Sequence, residues 1–265
     1  MLGALRYRRA QAVVVVVLSA LVTACLVLAP LYTRALEQSS VTTLLRAATP
    51  TESGIRLASF SSAEPGIALD PDDLAGLIPS GIRARYGTAI AATSVGVRRM
   101  PLGPEPGGVL LARDNACAHV TFLEGQCPSA AGEIAVSADQ ARVYEHAIGT
   151  AVFVGEFDGA VSLPTASPRT TLHVVGIYEQ VDGSYWFGER LTGQASARLG
   201  FDTMLTPLTT LTERVTAVDG QLTTWFERHY ALDLPLLTDT VGVDQIGPLG
   251  ATVADLVRYP MGVER

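Results

Sequence analysis

The chain has 265 residues, a formal net charge of −7 and 19 basic residues, every one of them arginine. Without lysine it cannot carry a phosphate loop of the GxxxxGK[ST] type, and an acidic chain with no basic stripe repels phosphate backbones, which sets nucleic acids aside as partners. Charged residues at 17% and a hydrophobic set of 48% fit a packed domain attached to a membrane segment.

Residues 10–32 (AQAVVVVVLSALVTACLVLAPLY) carry no charge, and at roughly 1.5 Å per residue they make about 34 Å of helix, enough to cross a bilayer core. Arg6, Arg8 and Arg9 precede the run and only Arg34 follows it closely. The positive-inside bias therefore places residues 1–9 in the cytoplasm and the rest beyond the plasma membrane, as a single-pass protein. Cleavable signals have an apolar region of about 7–15 residues, whereas here Leu26, Val27, Leu28 and Leu31 prolong it. The tetrad Val22-Thr23-Ala24-Cys25 resembles a lipobox that would leave Cys25 acylated, but membrane-compatible residues follow Cys25 where a lipoprotein has a polar tether. An uncleaved helix is the expectation. Residues 33–50 extend it as a stalk, with Leu36, Val41, Leu44 and Leu45 on one face.

Residues 51–265 then read as a mixed α+β domain outside the membrane. Gly54 to Phe60 alternates as a strand, and Asp70-Pro71-Asp72-Asp73 starts a helix with Asp70 as cap and Pro71 in the first position. A calcium loop there fails on spacing at Leu74 and Ala75. Thr88–Arg98 and Gly107–Arg113 are strands joined by a Pro/Gly-rich turn. In Gly132–Val154 a strand over Glu133–Val136 leads to a helix capped by Ser137, which runs to about His146 and ends at Gly149; extended structure resumes at Ala151. Thr170–Gln180 is strongly β-prone, Asp202–Leu205 a strand, Pro207–Arg214 a short helix and Gly220–Tyr230 an amphipathic helix.

Cys117 and Cys127 are an even pair in an oxidising compartment, and a disulfide is expected between them. The rival is a zinc site from Cys117, His119 and Cys127 with Asp114 or Glu124, which asks for reduced thiolates and four well-spaced ligands. No HExxH, GxSxG or SxxK occurs, and His119, His146, His173 and His229 are scattered, so neither catalytic residues nor a cofactor or metal is expected. Tyr185, Trp186 and Phe187 follow a turn; they either contact a partner or ligand or fold back over the core.

The order of these parts resembles the FtsX-like, MacB-type ABC transporter permeases. The resemblance rests on Gly132–Ser137 (GEIAVS), Ile148–Val154 (IGTAVFV) and Leu172–Tyr178 (LHVVGIY), and extends to the Cys117–Cys127 segment and the YWFG of Tyr185–Gly188. It implies an extracytoplasmic core domain of the MacB periplasmic kind. It also implies a separate cytoplasmic ABC ATPase as partner, a homodimer or heterodimer of permease subunits, and coupling through the stalk residues Val41, Leu44 and Leu45. Such permeases carry further membrane helices, and no second apolar run approaching about 18 residues follows here. The expectation is thus the N-terminal part of a permease or a single-pass relative. The alternative is a tethered or lipid-anchored binding or adaptor module acting through the aromatic segment.

Overall fold

The computed structural model describes residues 2–61, 70–99, 107–156, 170–181, 183–197, 200–212, 215–216, 222–223 and 228–258. The first helix, α1, runs from Leu2 to Ala47 and passes through Pro30. Within it one stretch is long and apolar enough to cross a membrane, with a mean hydropathy of 2.9 over its best 18 residues and none of that window buried. Thr23 and Thr33 turn their hydroxyls back to the carbonyls of Ser19 and Ala29, at 2.8 and 3.0 Å. Inside an apolar helix those polar groups are thereby satisfied.

Two compact units divide the chain, one joining α1 to residues 238–258 and the other holding residues 49–237. In the second unit come α2 (Pro50–Ser53), β1 (Ile55–Ser61), α3 (Pro71–Gly76), α4 (Ser80–Arg83), β2 (Ile90–Arg99), β3 (Gly108–Arg113), β4 (Val120–Gly125) and β5 (Glu133–Ser137). They are followed by α5 (Ala138–Tyr144), β6 (Ala151–Glu156), β7 (Thr170–Gln180), β8 (Met204–Leu205), α6 (Leu208–Thr212), β9 (Val215–Thr216), β10 (Leu222–Thr223) and β11 (Arg228–Leu234). This is an α+β domain behind a long apolar helix.

Nine strands form one sheet in the order β1-β11-β2-β3-β8-β5-β7-β4, and β6 pairs with both β7 and β2. That double pairing closes a ring β2-β3-β8-β5-β7-β6, because Val97–Arg99 run antiparallel to Val154–Glu156 while Ala151–Val154 pair with Thr170–His173. Side chains alternate across a strand, so alternate positions fill the ring. Val95 and Val97, Leu110 and Ala112, Ile134 and Val136, Val152 and Val154, and Leu172 and Val174 form one buried cluster with Met204 and Phe201. Beside the ring, β1 and β11 pair antiparallel from Ile55↔Leu234 to Ser61↔Arg228. The strand segments that carry the family resemblance, β5, β6 and β7, are direct neighbours in this ring.

Local chemistry sets the helix starts. Asp70 accepts from the backbone N–H groups of Asp72 and Asp73, both at 2.9 Å, with Pro71 in the first helical position. Ser137 caps α5 by accepting from the N–H of Gln140 at 2.9 Å. α5 stops at Tyr144 rather than near His146, because Glu145 itself takes the left-handed conformation (φ 54°) and its N–H closes on the carbonyl of Ala141. Gly149 (φ 85°) serves the next turn instead.

The expectation of a helix over Gly220–Tyr230 is wrong in the described residues. Leu222–Thr223 and Arg228–Tyr230 are strand, with 220–221 and 224–227 outside the described residues. Pairing of β11 with β1 on one side and β2 on the other overrides the local helical pattern. α6 covers Leu208–Thr212 of the expected Pro207–Arg214 helix, and Glu213 and Arg214 lie outside the described residues.

Candidate functional site

Two places hold the residues singled out in the sequence. The first lies within the α1 unit. Residues 238–240 make a short 3-10 turn, and α7 follows over Val243–Arg258. The amide of Gln38 bonds this return segment twice, accepting from the N–H of Val243 at 2.8 Å and donating to the carbonyl of Val241 at 3.3 Å. Arg46 pairs with Asp239 at 2.7 Å, and Arg34 pairs with Asp244. These ion pairs are largely exposed and contribute little individually. Their order is informative: as α1 rises from 34 to 46, its partners fall from 244 to 239, so the segment runs antiparallel to the helix.

Gln38, Val41, Thr42 and Leu45 are half-buried on one face of α1, at helical spacing. Leu44 does not share that face. It sits about 100° around from Leu45, as successive helical residues do, and is 70% exposed; Leu36 is 49% exposed. Cys25 is a free, exposed cysteine on α1.

The second place lies in the α+β domain, on the outer wall of the strand ring. Arg56 on β1 stands directly across from Asp233 on β11. Its guanidinium grips the carboxylate with two nitrogens, Nε to Oδ1 at 2.6 Å and Nη2 to Oδ2 at 2.8 Å. Arg113, at the end of β3, places Nη1 2.7 Å from Oδ2 of Asp233, close enough for strong attraction but out of line for a straight hydrogen bond. The side chains of Arg113 and Asp233 are both fully buried. Asp233 thus neutralises a cation with no access to water, and its bonds to Arg56 push the pKa of that guanidinium up further.

Over this pair folds the aromatic segment. Arg113 donates to the carbonyl of Tyr185 at 2.7 Å, and its guanidinium faces the rings of Tyr185 and Trp186 at 4.9 and 5.9 Å. Tyr185 stacks on His119 with ring centroids 3.6 Å apart, and its hydroxyl donates to the carbonyl of Asp114. Burial raises the Tyr185 phenol above its usual pKa, Arg113 opposing the shift. Trp186 is 1% exposed and donates its indole N–H to the carbonyl of His119 at 3.2 Å. Phe187, in the left-handed conformation, is 3% exposed. Gly54 is required beside it: a Cβ there would lie 2.6 Å from the Phe187 ring. Glu189 pairs with Arg56 at 2.7 Å, and Gln180 bonds the carbonyl of Glu189 and the N–H of Leu191, both at 2.8 Å.

Trp186 therefore covers the outer wall of the ring, clustered with Leu111, Ala135, Tyr178 and Leu205, while Phe187 is buried beside Gly54 and Arg56 at the start of β1. Tyr185 alone of the three keeps partial exposure.

Cys117 and Cys127 are joined in a disulfide with Cα atoms 5.9 Å apart. The zinc alternative has no thiolates to use, its His119 is committed to the Tyr185 stack, and Glu124 is exposed on β4. The bridge pins the 3-10 turn Ala116–His119, and with it His119, to the far end of β4. Reducing it in the full chain should lower stability by about 3 kcal/mol, the chain-entropy value for a loop of this length. A urea midpoint equal in reduced and oxidised protein would contradict that.

Sequence reasoning missed Arg56, Arg113, Asp233, Glu189 and Gln38. The one local signal was Asp233, a carboxylate between Leu232 and Leu234 in a strand buried on both faces.

No family model matches the chain, and no curated protein matches it. Among solved structures, a domain described as the extracellular domain of the noncanonic ABC-type transporter YknZ from Gram-positive bacteria superposes with a TM-score of 0.38 at 14% identity, covering 80% of this chain and 96% of that one. That likeness assigns neither fold nor role.

Proposed function

We propose that the chain is a permease subunit, or the N-terminal part of one, in an ABC transporter of the FtsX-like, MacB-type family. It acts without catalysis of its own, from the plasma membrane, with its N-terminus cytoplasmic and its α+β domain outside. A separate ABC ATPase and a second permease subunit are its partners. In this reading, ATP-driven closure of the ATPases shifts α1, and the part of α1 beyond the bilayer carries that shift to the outer domain.

The observation that carries the reading is the continuity of α1. The same helix that contains the apolar span continues through Arg34 and Gln38 to Arg46, where the return segment grips it. A helix that stays continuous past Pro30 transmits displacement; a loop would absorb it. The adjacency of the three motif-bearing strands in one ring supports the same reading.

Leu44→Pro tests it. The side chain at 44 is exposed, so the change acts on the backbone: it removes one helical hydrogen bond and clashes with the preceding turn, at a local cost of about 3 kcal/mol. In a reconstituted full-length permease with its ATPase, transport-linked activity should fall while the Cys117–Cys127 bridge persists. Full activity in that variant would make the stalk a mere tether and sink the coupling role.

A further inference from the structure

The return segment leads α7 to a particular depth. Because Asp244 pairs with Arg34, α7 begins two residues past Tyr32, the end of the uncharged run. From there it does not pack down the span, since residues 11–37 of α1 are all exposed. Over residues 243–258 the helix is too polar to form a crossing itself, with Asp244 and Asp255 among them. Yet it is two-faced. At 100° per residue, Val243, Ile246, Leu249 and Val253 gather on one side, while Asp244, Ala251 and Thr252 fall on the other. None of the four apolar residues is buried, and Ile246 is 41% exposed. Gly247, Pro248 and Gly250 are poor helix formers in water, so a helix containing them needs a surface to hold it.

We propose that α7 is an interfacial helix, lying along the lipid headgroup boundary on the side of the bilayer that carries the α+β domain, with its Val243–Ile246–Leu249–Val253 face in the lipid. The inference rests on the reading of α1 as a membrane span. The bilayer is the occupant because the surface α7 meets at the level of Arg34 is continuous with the one that surrounds residues 11–32. Attraction is hydrophobic rather than electrostatic, for α7 has no basic residue before Arg258. It should therefore be as strong on phosphatidylcholine as on phosphatidylglycerol.

The test uses the full chain with Cys25→Ser in phosphatidylcholine nanodiscs, keeping the disulfide oxidised. Single cysteines replace Val253, Ile246, Ala251 or, as a reference in the span, Leu18, and each carries an environment-sensitive fluorophore. Nitroxide lipids labelled at the headgroup should dim the Val253 and Ile246 probes about two-fold and the Ala251 probe hardly at all, with iodide showing the reverse order. Equal iodide quenching at 251 and 253 would overturn the proposal. So would stronger quenching at 253 by a deep-chain nitroxide, which means a second crossing, or protection from both quenchers, which means a protein partner. The Leu18 probe separates the two readings: deep-chain quenching there with none at α7 rejects the interfacial helix alone, and its loss at Leu18 rejects the span and this inference together.

Discussion

Asp233→Ala should destabilise the α+β domain by about 3–5 kcal/mol, the range for breaking a buried ion pair by removing one partner. The size follows from asymmetry. Arg56 is 33% exposed in its side chain and keeps Glu189, so it survives the loss. Arg113 has no exposed side-chain surface and would be left as a buried cation facing, among the described residues, the Tyr185 carbonyl and two rings. Urea unfolding of the full chain in detergent, followed by tryptophan fluorescence, measures the effect. The companion variant Arg113→Met/Asp233→Leu removes both charges at similar volume and should lose less than Asp233→Ala alone. If the single variant unfolds at the parent's midpoint, Asp233 does not hold Arg113 in the way described.

Trp186→Ala should cost a similar amount, about 3–5 kcal/mol, through a cavity where a large ring is now 1% exposed. It also strips the carbonyl of His119 of its indole donor and removes the edge-on contact between Trp186 and Tyr185, whose centroids are 4.7 Å apart. Both changes release one and the same segment, so the double variant Trp186→Ala/Asp233→Ala should lose clearly less than the two single losses added together. Strict additivity would mean that the aromatic segment and the ion pair are held independently.

How much of this was legible in the sequence varies with the range of the interactions involved. The apolar run, the Asp70 and Ser137 caps and the strands at Glu133–Ser137 and Thr170–Gln180 are written in residues a few places apart, and they were read correctly. Leu44 is a different case. The local pattern puts it on one face with Leu36, Val41 and Leu45, but the half-buried face is set by where the return segment lies, and that segment comes some two hundred residues later. The same distance hid β11, whose strand character depends on flanking partners from the beginning of the domain. It also hid the Arg113–Asp233 pair: Asp233 between two leucines gives a local signal but no partner, and only the sheet order brings Arg113 to it.

The antiparallel match of Ile55 with Leu234 gives the domain a mechanical character. β1 begins and β11 ends at two adjacent points about 5 Å apart, with Pro50–Ser53 ahead of the one and the Tyr86–Leu236 bridge after the other. Tension that draws those points apart acts at one end of the β1–β11 ladder and opens it rung by rung, starting with the outermost bond, instead of shearing all seven registers at once. Such a joint opens one rung at a time, while β11 passes part of the load to the strand ring through its pairing with β2 and through the Asp233–Arg113 contact.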